Sequence, residues 1–297
     1  MDRLSKLYIL LSWWLGYISS PWQTSKFSFP TLPMIFNIFH SLSMLVTVID
    51  NVLAIHSTKY LPSAYMLVMV TGGVDMVTTT LVRLLFARFS SDFLHTWRQF
   101  ERFSSAEQSK RRVKKTVGVA MALAFGSSLL SLYAFSFLTV ERLLTGQFVG
   151  LLKNQPALAI AQSFFSLVTQ VTAIPFALSF VVIISAEIVN AYESLCNSLK
   201  HLQMTAQEMW ELKRRFKCLK RQTKKFESSA NYFCLCIVAT CAAVLLQMLG
   251  IVATQDDDSA VVDGQLLLYI LINLILLSLL ACAGNVLKTE VSIFRCY

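Results

Sequence analysis

Charge is scarce in this sequence. Only 14% of its 297 residues are Asp, Glu, Lys or Arg, against about 25% in an ordinary soluble domain. Motifs that carry chemistry are missing as well. There is no HExxH, no Gly-x-Ser-x-Gly and no glycine-rich phosphate loop, so protease, hydrolase and nucleotide-binding machinery is not expected. His40, His56, His95 and His201 fall in separate segments and are expected at surfaces or interfaces. No enzyme activity, metal or cofactor is expected, although a site assembled inside the membrane from distant spans stays open. No Asn-x-Ser/Thr sequon occurs, so glycosylation gives no sign of which loops face outward.

Seven cysteines are present, at positions 196, 218, 234, 236, 241, 282 and 296. None falls in a short acidic or polar loop, which argues against an extracellular disulfide framework. Cys234-Leu-Cys236 lacks the spacing of a zinc pair and has no second pair to complete one. They are expected as small apolar core residues and reduced thiols.

Hydrophobic length is plentiful. Six apolar stretches run over residues 31–53, 61–87, 116–140, 157–189, 233–254 and 266–287, and apolar types make up 55% of the chain. A bilayer core needs about 20 apolar residues in a helix, and every stretch reaches that length. The expected fold is an all-α membrane protein of six transmembrane helices in one domain spanning residues 1–297. The net charge of +9 does not indicate nucleic acid, because the basic residues lie between spans, where they meet lipid phosphates or set orientation.

Those basic residues are unevenly distributed. Arg88, Arg98, Arg102, Lys110, Arg111, Arg112, Lys114 and Lys115 separate spans two and three. Between spans four and five lie Lys200, Lys213, Arg214, Arg215, Lys217, Lys220, Arg221, Lys224 and Lys225. The alternate loops hold little base: His56 and Lys59, then Arg142 and Lys153, then the acidic Asp256 to Asp258 with Asp263. Loop lysine and arginine stay cytoplasmic. Both rich segments are therefore expected inside, with the N-terminus, in a multi-pass protein of the plasma membrane.

Residues 7–18 form a shorter apolar run behind Arg3 and Lys6. It is short for a crossing and lacks a clear cleavage site for a signal peptide. Trp13, Trp14 and Trp22 suit a headgroup environment, so an N-terminal interfacial helix is expected.

The two basic segments, 88–115 and 190–232, are expected as helical extensions. Phe93, Trp97, Phe100 and Phe103 recur at helical spacing in the first. Met209, Leu212, Phe216 and Leu219 do so in the second, opposite Arg214, Arg215 and Lys217. An apolar stripe of this kind needs a partner, and lipid surface, a helical bundle and a subunit contact all fit.

Ionisable residues inside spans matter more, because each costs roughly 2.5–3.5 kcal/mol at a helix centre. Asp75 and Arg83 lie in the second span and Glu187 near the end of the fourth, with Gln162, Gln170, Gln247 and Asn273 as amides. Arg83 and Glu187 are expected to reach the inner interface. Asp75 is deeper and must face protein or water, as a packing bond or a cavity group. Tyr65, Met69, Tyr133, Phe137, Gln162, Phe164, Gln247 and Tyr269 gather in the outer halves of five spans. Apolar and aromatic side chains with a few polar handles line small-molecule sites, although ordinary packing or lipid contact explains any one of them. Pro175 permits a kink in the fourth span.

The whole pattern resembles the insect gustatory and odorant receptor superfamily. The similarity rests on Leu15-Gly-Tyr-Ile-Ser-Ser-Pro21, on the extensions between spans four and five, and on Ala281-Cys-Ala-Gly-Asn-Val-Leu-Lys-Thr-Glu290. The resemblance implies a gustatory receptor-like, ligand-gated cation channel subunit that senses a small tastant or odorant. It also implies homo- or hetero-tetramers of related subunits, held by a cytoplasmic anchor in which Met209, Leu212, Phe216 and Leu219 take part. The family's seventh span, with a Thr-Tyr-x-x-x-x-x-Gln-Phe signature, is not seen before Tyr297. A C-terminally truncated or non-conducting product is therefore expected, and no pore residue carries over. Two other classes fit the spans: a G-protein-coupled receptor with residues 7–20 as an extra crossing, and a small-solute transporter. The first lacks an Asp-Arg-Tyr-like triplet and an outer cysteine pair, and the second lacks visible inverted repeats.

Overall fold

Long apolar runs with few breakers fold here as long helices. The computed structural model describes residues 3–18, 32–57, 63–103, 107–145, 155–200, 205–254 and 260–293. Among them are seven helices and no strand. In chain order these are α1 (Arg3–Trp14), α2 (Leu32–Ser57), α3 (Ser63–Phe103), α4 (Glu107–Thr145), α5 (Pro156–Lys200), α6 (Ala206–Thr254) and α7 (Ala260–Ile293). The six expected spans fall on α2 to α7. The extensions expected below them are continuous with α3, α4, α5 and α6.

Helix ends follow their local chemistry. Pro156 opens α5 at the position where a missing N–H does no harm. At the start of α6, Thr205 N donates to Glu208 Oε2 (2.8 Å) while Glu208 N donates to Thr205 Oγ1 (3.3 Å), a reciprocal capping box. Helix α1 closes with Gly16 at φ 78°. Gly16 N donates to Trp13 O at 3.0 Å and Tyr17 N to Ser12 O at 2.8 Å, a Schellman turn that needs a left-handed residue.

Helix α5 is the most enclosed element. Phe176, Ala177, Phe180, Ile183, Ile184 and Ile188 are all buried along it, and α3, α4 and α7 pack around it. Helix α3 runs antiparallel to α6: Thr78 meets Thr240, Phe89 meets Phe233 and Phe93 meets Phe226. Phe86 lies between these layers, edge-on to Phe180, Phe233 and Tyr17. Interlocked rings of this kind resist sliding.

Among the described residues, four segments are long and apolar enough to cross a membrane: Arg111–Tyr133, Ile160–Leu199, Ala206–Gly250 and Leu267–Asn285, with a shorter apolar stretch at Ile35–Val46. Leu235, Val238, Leu246 and Leu249 on α6, and Leu267, Leu271 and Leu274 on α7, point out of the bundle. In water such stripes would aggregate; in lipid they are solvated.

Helix α1 differs from the interfacial expectation. Lys6, Leu7 and Leu10 are exposed, but Tyr8, Ile9, Ser12, Tyr17 and Ile18 are buried in the bundle. Tyr8 packs on Phe176 and Phe180, and its hydroxyl bonds Ser179. The tryptophans suggested a helix resting on the headgroups, whereas its tyrosine face is docked on α5.

Candidate ligand site

One face of α5 carries a polar ladder. Ser166, Thr169, Thr172 and Ser179 recur at helical spacing, and each receives a partner from α1, the turn that follows it, or α2. Ser43 Oγ lies 2.6 Å from Ser166 Oγ, and Tyr17 Oη lies 2.8 Å from Thr172 Oγ1. His40 Nδ1 lies 2.7 Å from Thr169 Oγ1, whose hydroxyl also reaches the carbonyls of Phe165 and Ser166 at 2.9 Å. Farther out, Gln162 Nε2 donates to Ser43 O at 3.1 Å. Among groups surrounded by lipid, such bonds fix the pairing of helices.

Helix α3 presents a second polar face, with Asp75, Thr79 and Arg83 one turn apart. Asp75 is 1% exposed. Its carboxylate accepts from Gln170 Nε2 and, at 3.2 Å, from Thr79 Oγ1. Asp75 thus faces protein, as its depth required. Helix α3 packs on α5 and α6, and α7 packs on both of those, with Cys241 and Tyr269 buried on α6 and α7. Asn273 Nδ2 donates to Tyr269 O at 2.9 Å. Gln247 Oε1 on α6 is buried and receives no hydrogen bond from the described residues.

Arg83 requires a correction. It does not extend toward inner headgroups but is 1% exposed inside the bundle. Its Nη1 donates to Tyr17 Oη (2.9 Å) and Thr169 O (3.2 Å), and its Nη2 to Leu15 O (2.6 Å) and Asn37 Oδ1 (3.4 Å). The guanidinium also lies over the rings of Tyr17 and Phe36. Helical side chains lean toward the N-terminus of their own helix, and for α3 that direction leads away from the basic end. Glu187 needs a similar correction, being buried with its Oε1 accepting from Trp97 Nε1 at 3.0 Å.

The residues expected to bind ligand are only partly brought together. Tyr269 is buried, and Gln162 and Gln247 are partly buried on bundle-facing sides. Tyr133 and Phe164 point out of the bundle, 59% and 58% exposed. Tyr65, Met69 and Phe137 fall on α3 and α4, and their side chains lie outside the described residues. Of the expected anchor residues, Leu212 and Leu219 are buried within the chain itself. Phe216 packs on Tyr192 at 6.5 Å, and Met209 is exposed beside Trp210. Thr169, Thr172, Asn37, Tyr8 and Tyr17 were missed; the three- to four-residue spacing of hydroxyls along α5 was the signal available for that face.

No family model matches the sequence, and no curated protein matches it. Solved structures do match. The insect olfactory receptor OR5 from Machilis hrabei superposes with a TM-score of 0.72 at 13% identity, covering 97% of this chain and 82% of that one. The chain has the insect olfactory receptor fold. The structure of the same receptor in complex with eugenol superposes with a TM-score of 0.67 at 14% identity, covering 95% of this chain and 79% of that one. The all-helical architecture and membrane character expected from the resemblance to insect chemoreceptors accord with this olfactory receptor fold.

Proposed function

We propose that the chain is a chemoreceptor subunit of the insect odorant and gustatory type, which binds a small molecule and turns nothing over. The observation that carries this reading is a superposition extending over nearly the whole chain. In this reading the protein crosses the plasma membrane six times with both basic segments cytoplasmic, consistent with the charge asymmetry of the loops. It works with related subunits in a ligand-gated cation channel, and the taste branch is the one the sequence pattern favours. The exposed Met209 and Trp210 at the start of α6 are the surface through which subunits meet.

The ligand site lies where α3, α5, α6 and α7 converge, with Gln247 and Tyr269 as its handles and Asp75 and Gln170 beneath. An acceptor such as Gln247 Oε1 that is buried without a partner is restored by a ligand hydroxyl. Eugenol, bound in the compared receptor, is a suitable first probe because its phenol supplies one donor on a small apolar body. Purified protein in lipid nanodiscs is titrated with eugenol and with its methyl ether, and binding is followed by tryptophan fluorescence. Preference for the phenol, lost in Gln247→Leu, supports the site. Equal binding of both compounds, unaffected by Gln247→Leu, sinks it. Cation currents in cells expressing the chain with related subunits test the channel reading separately.

A further inference from the structure

Arg83 is completely enclosed, yet no carboxylate among the described residues pairs with it; its hydrogen-bond partners are all neutral oxygens. Two of the four, Leu15 O and Tyr17 Oη, come from the N-terminal segment. Leu15 O is an end-of-helix carbonyl of α1, at the negative pole of the helix dipole. The N-terminal segment therefore supplies much of what a guanidinium needs in a place where water does not.

The seat is shaped for that turn. A side chain at Gly16 would put its Cβ 2.9 Å from Phe36 Cδ1 and 3.2 Å from both Arg83 Nη2 and Asn37 Oδ1. Asn37 Nδ2 also donates to Gly16 O at 2.7 Å. The guanidinium is rigid and planar. It stands on α3 and bonds Thr169 O of α5, Asn37 of α2 and the turn, all within one fork. Tyr8 and Tyr17 fasten the same segment to α5 through Ser179 and Thr172. The segment can hold both α5 and Arg83 only while α3 and α5 keep one spacing. The Asp75–Gln170 bond ties those two helices two turns away.

We propose that residues 3–18 are a docked strap whose seat is Arg83, and that this seat senses the spacing of α3 against α5. Loss of the charge frees the strap, and a change in α3–α5 spacing loosens it. A freed α1 is only 12 residues long, too short to hold helical structure alone in water, and becomes a protease substrate.

Trypsin cleavage after Lys6 in the purified full chain, in detergent micelles, reads the docking. Cleavage among the basic residues of α6 serves as the internal reference. Arg83→Met should speed the Lys6 cut at least tenfold with α6 unchanged, and Arg83→Lys should fall between, because the charge remains and the fork is lost. An unchanged Lys6 cut in Arg83→Met overturns the seat. If α6 cleavage rises too, Gly16→Ala decides: a faster Lys6 cut alone upholds the strap, and any other result overturns it. Gln170→Leu should speed the Lys6 cut several-fold, and no change there overturns the coupling to α3–α5 spacing. The assay needs no ligand, so its outcome is independent of the chemoreceptor reading.

Discussion

The polar groups inside the bundle and those along its basic end use the same chemistry under different solvents. Inside, Arg83 has four hydrogen-bond partners and Asp75 two, all of them neutral. At the basic end, Lys225 pairs with Asp92 and Arg112 with Glu193, each at 2.8 Å and each about half exposed. The formally stronger ion pairs are the weaker contributors, because water competes for them and salt screens them. The neutral contacts of Arg83 hold more, because nothing replaces them when they are removed. Position relative to water, not formal charge complementarity, sets the value of a contact here.

The contrast can be tested in order of size. Arg83→Met removes the donor shared by Leu15 O, Tyr17 Oη, Thr169 O and Asn37 Oδ1, and should destabilise the folded protein by about 3–5 kcal/mol. The thermal midpoint of the detergent-solubilised protein, measured against the parent, gives the check. Gln170→Leu removes one donor from a buried carboxylate that Thr79 still serves, and should destabilise by about 1–3 kcal/mol in the same assay. Lys225→Ala should change stability by about 0.2–1 kcal/mol, and the difference should vanish in high salt. If Lys225→Ala rivals Arg83→Met, the distinction between the two regions fails.

The smallest effect is local. Hydrogen bonds from the Thr205 backbone N–H, and then from its hydroxyl, hold the Glu208 carboxyl below its ordinary pKa. A lowered folded pKa means that the stabilisation is present above the ordinary glutamate value and is lost as pH falls through the lowered one. Hydrogen-exchange protection at the first turn of α6, taken relative to the intrinsic exchange rate at each pH, should therefore fall on acidification, and Glu208→Gln should flatten that dependence.

Much of the helical frame was legible in the sequence because lipid-length apolar runs and three- to four-residue periodicity leave few alternatives. The continuity of α6 across residues 206–254 could be anticipated from the stripe at Met209, Leu212, Phe216 and Leu219. The depth of Asp75 was readable for the same reason, since a carboxylate far from both ends of a span must face protein. Arg83 was misjudged because its long stem allows either direction, and only the docked turn at Leu15 makes the inward one favourable. Helix α1 was misjudged because Trp13 and Trp14 are conspicuous, whereas Tyr8 and Tyr17 gain meaning only once Ser179 and Thr172 are opposite them. Tyr133 and Phe164 show a further limit: aromatic character does not tell which side of a helix faces the bundle.

Helix α6 has 49 residues without an internal proline, a single rod of about 73 Å at 1.5 Å per residue. Such a rod has no joint at which its apolar half could bend independently of its basic half. A tilt imposed at the apolar end must reappear as a sideways swing at the basic one, so the rod transmits displacement mechanically along the length of the molecule.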